Sequence, residues 1–290
     1  MPTLEAAGPN AEQITYWNER GPKWVARMDQ LDEQIAPLGL AAMNRAGVAA
    51  GERVLDVGCG CGQTTLELAA RVGARGSVTG IDISTPMLER ARARAAERGL
   101  LAVRFMNADA QSTLLDTSSF DLIFSRFGVM FFADPKAAFA NLRASLVPGG
   151  RVAFVCWQAL ALNPWIRVPL LAAGQVVALP APPAAGAPGP FSFADPGRLQ
   201  GILTGAGFGA VAIEPLEGEL LIGGASARVE EAVEIVLEMG PMATALREAG
   251  ESARPRVIAA VREALAPYST PSGVSLPYAA WIASARSGAA

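Results

Sequence analysis

The residues with the most chemical promise sit in one short run, Asp56-Val57-Gly58-Cys59-Gly60-Cys61-Gly62. An acid followed by alternate glycines lets the backbone take positive φ and lets a ligand approach the main chain closely. Further on, Asp82, Asp109 and Ser125 each close a short apolar run, and Arg126 follows directly. No histidine occurs in the 290 residues. That excludes imidazole bases, Ser-His-Asp and Cys-His nucleophile systems and His metal ligands. Cys59, Cys61 and Cys156 lack the paired spacing of a zinc site, and no metal ligand is assigned. Two nucleotide patterns also fail. A dinucleotide fingerprint begun at Gly58 meets Gln63 at its sixth position, and no lysine lies between Cys59 and Thr65 to complete a phosphate loop.

The elements that must position these residues alternate. Arg53–Val57 reads as a strand running into the glycines, and Thr64–Val72 as a helix. Ser77–Ile83 is a second strand, and a helix capped at Thr85-Pro86 runs to Arg98. Ala102–Met106 and Phe120–Phe124 are strands three and four. Asp134-Pro135 starts a further helix, and a Pro148-Gly149-Gly150 turn leads into a fifth strand, Arg151–Trp157. This alternation predicts a parallel sheet with helices on both faces, whose ligands bind at the carboxyl ends of the strands. The glycine run, Asp82, Asp109 and Ser125 all fall at such ends. Before the sheet, Trp24, Met28, Leu31, Ile35 and Leu38 mark one helix face, with Pro37 expected to break it or to start the next helix, which runs to about Arg45 before Gly47. After Trp157, helices are expected over Asn163–Leu179, from Asp195-Pro196, over Arg228–Glu238 and over Arg254–Leu265. Strands are expected from Val211 and over Leu276–Ala285, with Pro277 at an edge or a strand start.

The glycine segment resembles motif I of the class I S-adenosylmethionine-dependent methyltransferases, D/E-x-G-x-G-x-G at the end of the first strand. Asn107-Ala108-Asp109-Ala110, Phe120–Ser125 and Leu146-Val147-Pro148-Gly149-Gly150 resemble later motifs of that family, in the family's order. The broadest likeness is to the small-molecule group that includes ubiquinone and menaquinone biosynthesis enzymes. The resemblance implies an α/β, Rossmann-like fold with a seven-stranded, mostly parallel sheet whose last strand is antiparallel, and extra N-terminal and C-terminal lid helices. It implies S-adenosyl-L-methionine as cofactor, held by Asp56, Gly58, Gly60, Asp82, Ile83, Met87, Asp109, Ala110 and Ser125. Asp82 would accept the ribose hydroxyls and Asp109 would meet the adenine amine. Ile83 and Met87 would pack on adenine, or serve as plain core. Relatives often carry histidines where Met130 and Phe131 stand here, so the acceptor side should be more apolar and no His-dependent step is available.

Arg126 is read as an anion partner for substrate, or as a salt bridge to a lid carboxylate. Tyr16 and Trp17 either cover the sulfonium or anchor the first helix, and Tyr16 is also a candidate proton acceptor. Arg90, Arg94 and Arg98 share a helix face expected to be solvated. The expected organisation is one domain over 11–290: a helical cover at 11–47, a cofactor core at 48–158, and lid helices with the last strands at 159–290. A net charge of −3 argues against nucleic acid as a partner. The uncharged stretch between Arg167 and Asp195 is broken by prolines, so no membrane-spanning segment is expected. An odd cysteine count and no signal-like start indicate a reduced, cytoplasmic setting. The expected partner is a small, apolar acceptor, and the expected state is a monomer or a homodimer. Two other functions stay open: a non-catalytic binder of the same cofactor, and a nicotinamide-dependent reductase.

Overall fold

In chain order the helices are α1 (Ala11–Ala26), α2 (Met28–Ala46), α3 (Gln63–Val72), α4 (Thr85–Glu97), α5 (Pro135–Ala144), α6 (Pro164–Gly174), α7 (Pro196–Gly205), α8 (Val229–Glu238), α9 (Gly240–Ala249) and α10 (Arg254–Leu265). The strands are β1 (Arg53–Val57), β2 (Ser77–Asp82), β3 (Val103–Asn107), β4 (Phe120–Arg126), β5 (Leu146–Trp157), β6 (Phe208–Ile222), β7 (Ser269–Thr270) and β8 (Gly273–Ser287). The computed structural model describes residues 4–100, 102–238 and 240–288. Residues 289–290, Leu101 and Met239, which the domain reading took in, lie outside them.

Val54, Leu55 and Val57 are buried on both faces of β1, as a central parallel strand requires. The sheet order is β3-β2-β1-β4-β5-β8-β6, with β7 paired to β8. Strands β1 to β5 pair in parallel, and β8 runs antiparallel between β5 and β6. The seven-strand path and its antiparallel last strand match expectation; the two-residue β7 adds an eighth. Phe139, Phe154, Phe193 and Phe208 interlock beneath one face, where α5 packs on β5 and α7 on β6. Asp134 and Asp195 cap α5 and α7 by accepting the Ala137 and Arg198 amides, each ahead of a proline that suits the first helical position.

The structure corrects four expectations. The N-terminal helix breaks at Arg27, not at Pro37. Arg27 leaves helical geometry (φ −109°, ψ 9°), and its guanidinium reaches Glu234 and Glu238 on α8. Pro37 stays inside α2 because Leu38, Ala42, Met43 and Ala46 beyond it are buried, offsetting a proline cost of about 3 kcal/mol. Helix α6 stops at Gly174, short of Leu179, and α9 was not foreseen. Strand β8 starts at Gly273 and is interior, yet Pro277 lies beyond the end of β5, opposite Glu219 of β6. Its missing N–H therefore costs no bond to β5.

Pairing of β6 with β8 continues past the level of Trp157, from Glu217 with Ala279 to Ile222 with Val274. This ribbon overhangs the carboxyl end of the sheet by roughly 20 Å. Helix α6 packs on β8 and α8 on both ribbon strands, with α10 against α6 and α8. No helix among the described residues is long and apolar enough to cross a membrane.

Candidate cofactor and acceptor site

The glycine loop turns sharply at the end of β1. The Gly58 and Cys59 amides both donate to the Ile81 carbonyl of β2, which fixes the turn against its neighbour. Gly58 has φ +69°, and a Cβ there would stand 2.6 Å from the Cα of Gly128, just past β4. Gly60 has φ +53°, but its Cβ would meet only the Met87 sulfur, at 3.9 Å. Gly58 is thus glycine for packing, whereas Gly60 faces open space that a ligand can use.

Three carboxylates surround this loop. Asp56 is wholly buried beneath it; Oδ2 accepts from the hydroxyls of Thr64 and Thr65 at 2.6 Å each, while Oδ1 has no partner among the described residues. Burial pushes its carboxyl up to about 6, against the pull of the two hydroxyls and Arg126. Asp82 accepts from the Gly60 amide at Oδ2 and the Ser84 amide at Oδ1, both at 2.8 Å. Burial raises its carboxyl as well. Asp109 accepts from Asn10 and the Gln111 amide at one oxygen and from Ser112 at the other. Ser125 donates to the Val57 carbonyl at 2.7 Å and accepts from the Gly128 amide, tying the turn after β4 to β1. Met87 and Ala110 are buried, and Ile83 is half-buried. The cysteines are held as thiols: burial drives Cys61 up to about 12 and raises Cys59 and Cys156 too.

Arg126 goes to the second of its two readings. It donates to Gln63 at 2.6 Å and to Asp32 of α2 at 3.3 Å. Asp32 also holds Arg94, at 2.8 Å, and Arg94 donates in turn to the Cys61 carbonyl of the glycine loop. Arg94 is therefore buried and paired, which corrects the expectation of a solvated basic face; Arg90 pairs with Glu97. Burial lowers the Arg126 guanidinium, and Asp32 opposes that. Asp32→Asn strands two buried cations and is expected to cost about 3 kcal/mol in a urea titration. A loss below a few tenths of a kcal/mol would mean that the two arginines do not need this counter-charge.

The segment ahead of the sheet supplies contacts that motif reading missed. Asn10 links Asp109 to the Ala133 amide. Asn18 donates to the Ile83 carbonyl and accepts from the Thr85 amide, and Ser84 donates to the Trp17 carbonyl. These residues lie far from the glycine run in sequence, and a lone asparagine carries no local signature. The ring of Tyr16 carries Arg20 at 4.6 Å. Met130 is 1% exposed and belongs to the core, while Phe131 is half-buried and meets Trp17.

On the far side of the loop, Phe127 takes the left-handed region (φ +65°), which is strained for a bulky side chain. Its ring stacks on Trp157 at 4.2 Å, and Trp157 touches Trp165 of α6 and Tyr278 of β8. A row of aromatic rings thus starts one residue past β4 and leads under the ribbon.

Residues 54–150 match the sequence profile of a family described as "Methyltransferase domain". This stretch is a methyltransferase domain. Aklanonic acid methyltransferase DauC of Streptomyces sp. (strain C5) is 40% identical over 122 residues, covering 42% of this chain and 56% of that protein. The ubiquinone/menaquinone biosynthesis C-methyltransferase UbiE of Idiomarina loihiensis is 38% identical over 108 residues, covering 37% and 43%. The chain thus spans about half the length of these curated relatives. The crystal structure of the YcgJ protein from Bacillus subtilis superposes with a TM-score of 0.57 at 19% identity, over 87% of this chain and 98% of that one, which establishes a shared fold. The profile spans β1 to the start of β5, so the methyltransferase domain holds the glycine loop, Asp82, Asp109, Ser125 and Arg126. Helices α1 and α2, and everything after the start of β5, lie outside that match.

Proposed function

We propose that this protein transfers a methyl group from S-adenosyl-L-methionine to a small, apolar molecule. The observation that carries the reading is the open cradle at Gly60, whose amide donates to Asp82 in the same turn that covers the buried carboxyl of Asp56. Two acidic side chains at a glycine turn suit a nucleoside with a cationic tail. When bound, the cofactor supplies an activated methyl group on a sulfonium. Gly58 and Gly60 admit it, and Asp82, Ile83 and Met87 take the ribose and one side of the adenine. Asp109 and Ala110 take the adenine edge, and Ser125 fixes the turn beside the methyl. Arg126 acts through Asp32 to hold α2 over the loop, which excludes water and orients the acceptor. Phe127, Trp157 and Trp165 give that acceptor an apolar, ring-lined seat. With no imidazole present, the acceptor is already nucleophilic or is activated by a tyrosine or carboxylate, with Tyr16 the nearest phenol on the cover. We assign the protein to the cytoplasm.

Isothermal calorimetry with S-adenosyl-L-methionine and S-adenosylhomocysteine tests the cofactor. Both are expected to bind, and a folded protein that binds neither overturns the reading. With no histidine in the sequence and no general base evident, a second reading stays open, a binder without transfer. Methylated product from a screen of phenols, quinols, amines and prenyl-type acceptors decides against it.

A further inference from the structure

Trp17 and Phe131 are fixed at the ends of different strands. Ser84, two residues past β2, donates to the Trp17 carbonyl at 2.9 Å. Phe131 lies five residues past β4, on a turn whose Gly128 touches Gly58. In the sheet, β1 lies between β2 and β4. The two rings nevertheless meet, edge to face, with centroids 5.0 Å apart and planes at 90°. The contact joins elements anchored at the ends of β2 and β4, the two neighbours of β1, at whose end the glycine loop stands. Both rings keep part of their surface open although each is large. Trp24 also packs against Trp17, at 5.5 Å and 71°. Tyr16, the other ring at this place, already has a guanidinium on its face.

We propose that Trp17 and Phe131 form an aromatic arch over the glycine loop that contacts the sulfonium of bound S-adenosyl-L-methionine and sets a preference for this charged cofactor over its neutral product. The proposal rests on the cofactor reading above and adds a charge-selective contact to it. The electron-rich faces of aromatic rings attract cations and give no such gain to a neutral thioether. S-adenosyl-L-methionine and S-adenosylhomocysteine differ only in the transferred methyl and the positive charge. An arch of this kind therefore favours release of product after transfer. A ring that merely anchors α1 would stabilise both complexes alike.

The test compares dissociation constants of the two ligands by calorimetry for the wild type, Trp17→Leu, Trp17→Phe and Phe131→Leu. In Trp17→Leu, binding of S-adenosyl-L-methionine is expected to weaken roughly 3- to 30-fold, with S-adenosylhomocysteine changed by no more than about twofold. Trp17→Phe keeps an aromatic face and should restore most of the preference. Equal weakening of both ligands, or no change in their ratio, overturns the arch while leaving the cofactor reading intact. If Trp17→Leu does not fold, Phe131→Leu supplies the same ratio. A wild type that binds neither ligand fails the cofactor reading, and the arch with it.

Discussion

Gly60→Ala is expected to fold and to lose the cofactor, whereas Gly58→Ala is expected to lose the fold's grip on its own active centre. Both glycines have positive φ, so an alanine at either costs about 1–2 kcal/mol in backbone strain. Beyond that they part. At Gly60 the added methyl stands in open space, 3.9 Å from a flexible methionine sulfur. Stability should fall by that strain alone, while affinity for S-adenosylhomocysteine falls roughly 10- to 100-fold, because the methyl occupies the ligand's place. At Gly58 the methyl stands 2.6 Å from backbone that Ser125 pins to β1. Nothing there can yield cheaply, and the total loss should be about 3 kcal/mol or more. Denaturant titration and calorimetry on the two variants read both effects. If Gly60→Ala bound the cofactor as tightly as the wild type, the cradle would be misplaced.

Asp56→Asn is expected to stabilise the ligand-free protein at pH 7.5 by about 2 kcal/mol and to weaken cofactor binding. Burial lifts the folded-state carboxyl to about 6, above the unfolded value near 3.9. Its protonated form is thus the one folding prefers. The contribution is fully present below about pH 4 and is lost as pH rises through 6, up to about 3 kcal/mol in all. Asparagine removes this slope and keeps an acceptor for Thr64 and Thr65. It also removes the buried negative charge beneath the loop that would attract a cationic ligand through space. Wild-type affinity for S-adenosyl-L-methionine should accordingly rise between pH 5 and pH 7, with proton release on binding. Urea titrations at pH 5 and 7.5 test the stability half. A variant less stable than the wild type at pH 7.5 would falsify it.

The parallel half of the fold was legible because its signals are local. Asp56 to Gly62, the caps at Asp134-Pro135 and Asp195-Pro196, and the alternation of apolar runs each declare themselves within a few residues. The break at Arg27 was not legible, since its reason is a pair of carboxylates on α8, more than 200 residues away. Burial of Arg94 and the pairing of Arg126 both depend on Asp32, which sits in no motif. Asn10 and Asn18 reach the site only because α1 folds back across the ends of β2 and β3. The position of β8 followed from the family resemblance; periodicity alone gave its existence and not its neighbours.

That position has a consequence during synthesis. Strand β6 is made well before residues 273–287, which form the strand that must lie between it and β5. From the end of β6 to the end of β8 the ribosome needs roughly 3 to 13 s, at 5–20 residues per second. Throughout that interval β5 and β6 each present an unpaired edge that cannot be joined to the other. Glu214, Glu217 and Glu219 spread negative charge along the waiting strand, a composition that discourages pairing with a neighbouring nascent chain. The ribbon of β6 and β8, with the helices packed on it, is therefore the part whose assembly waits longest.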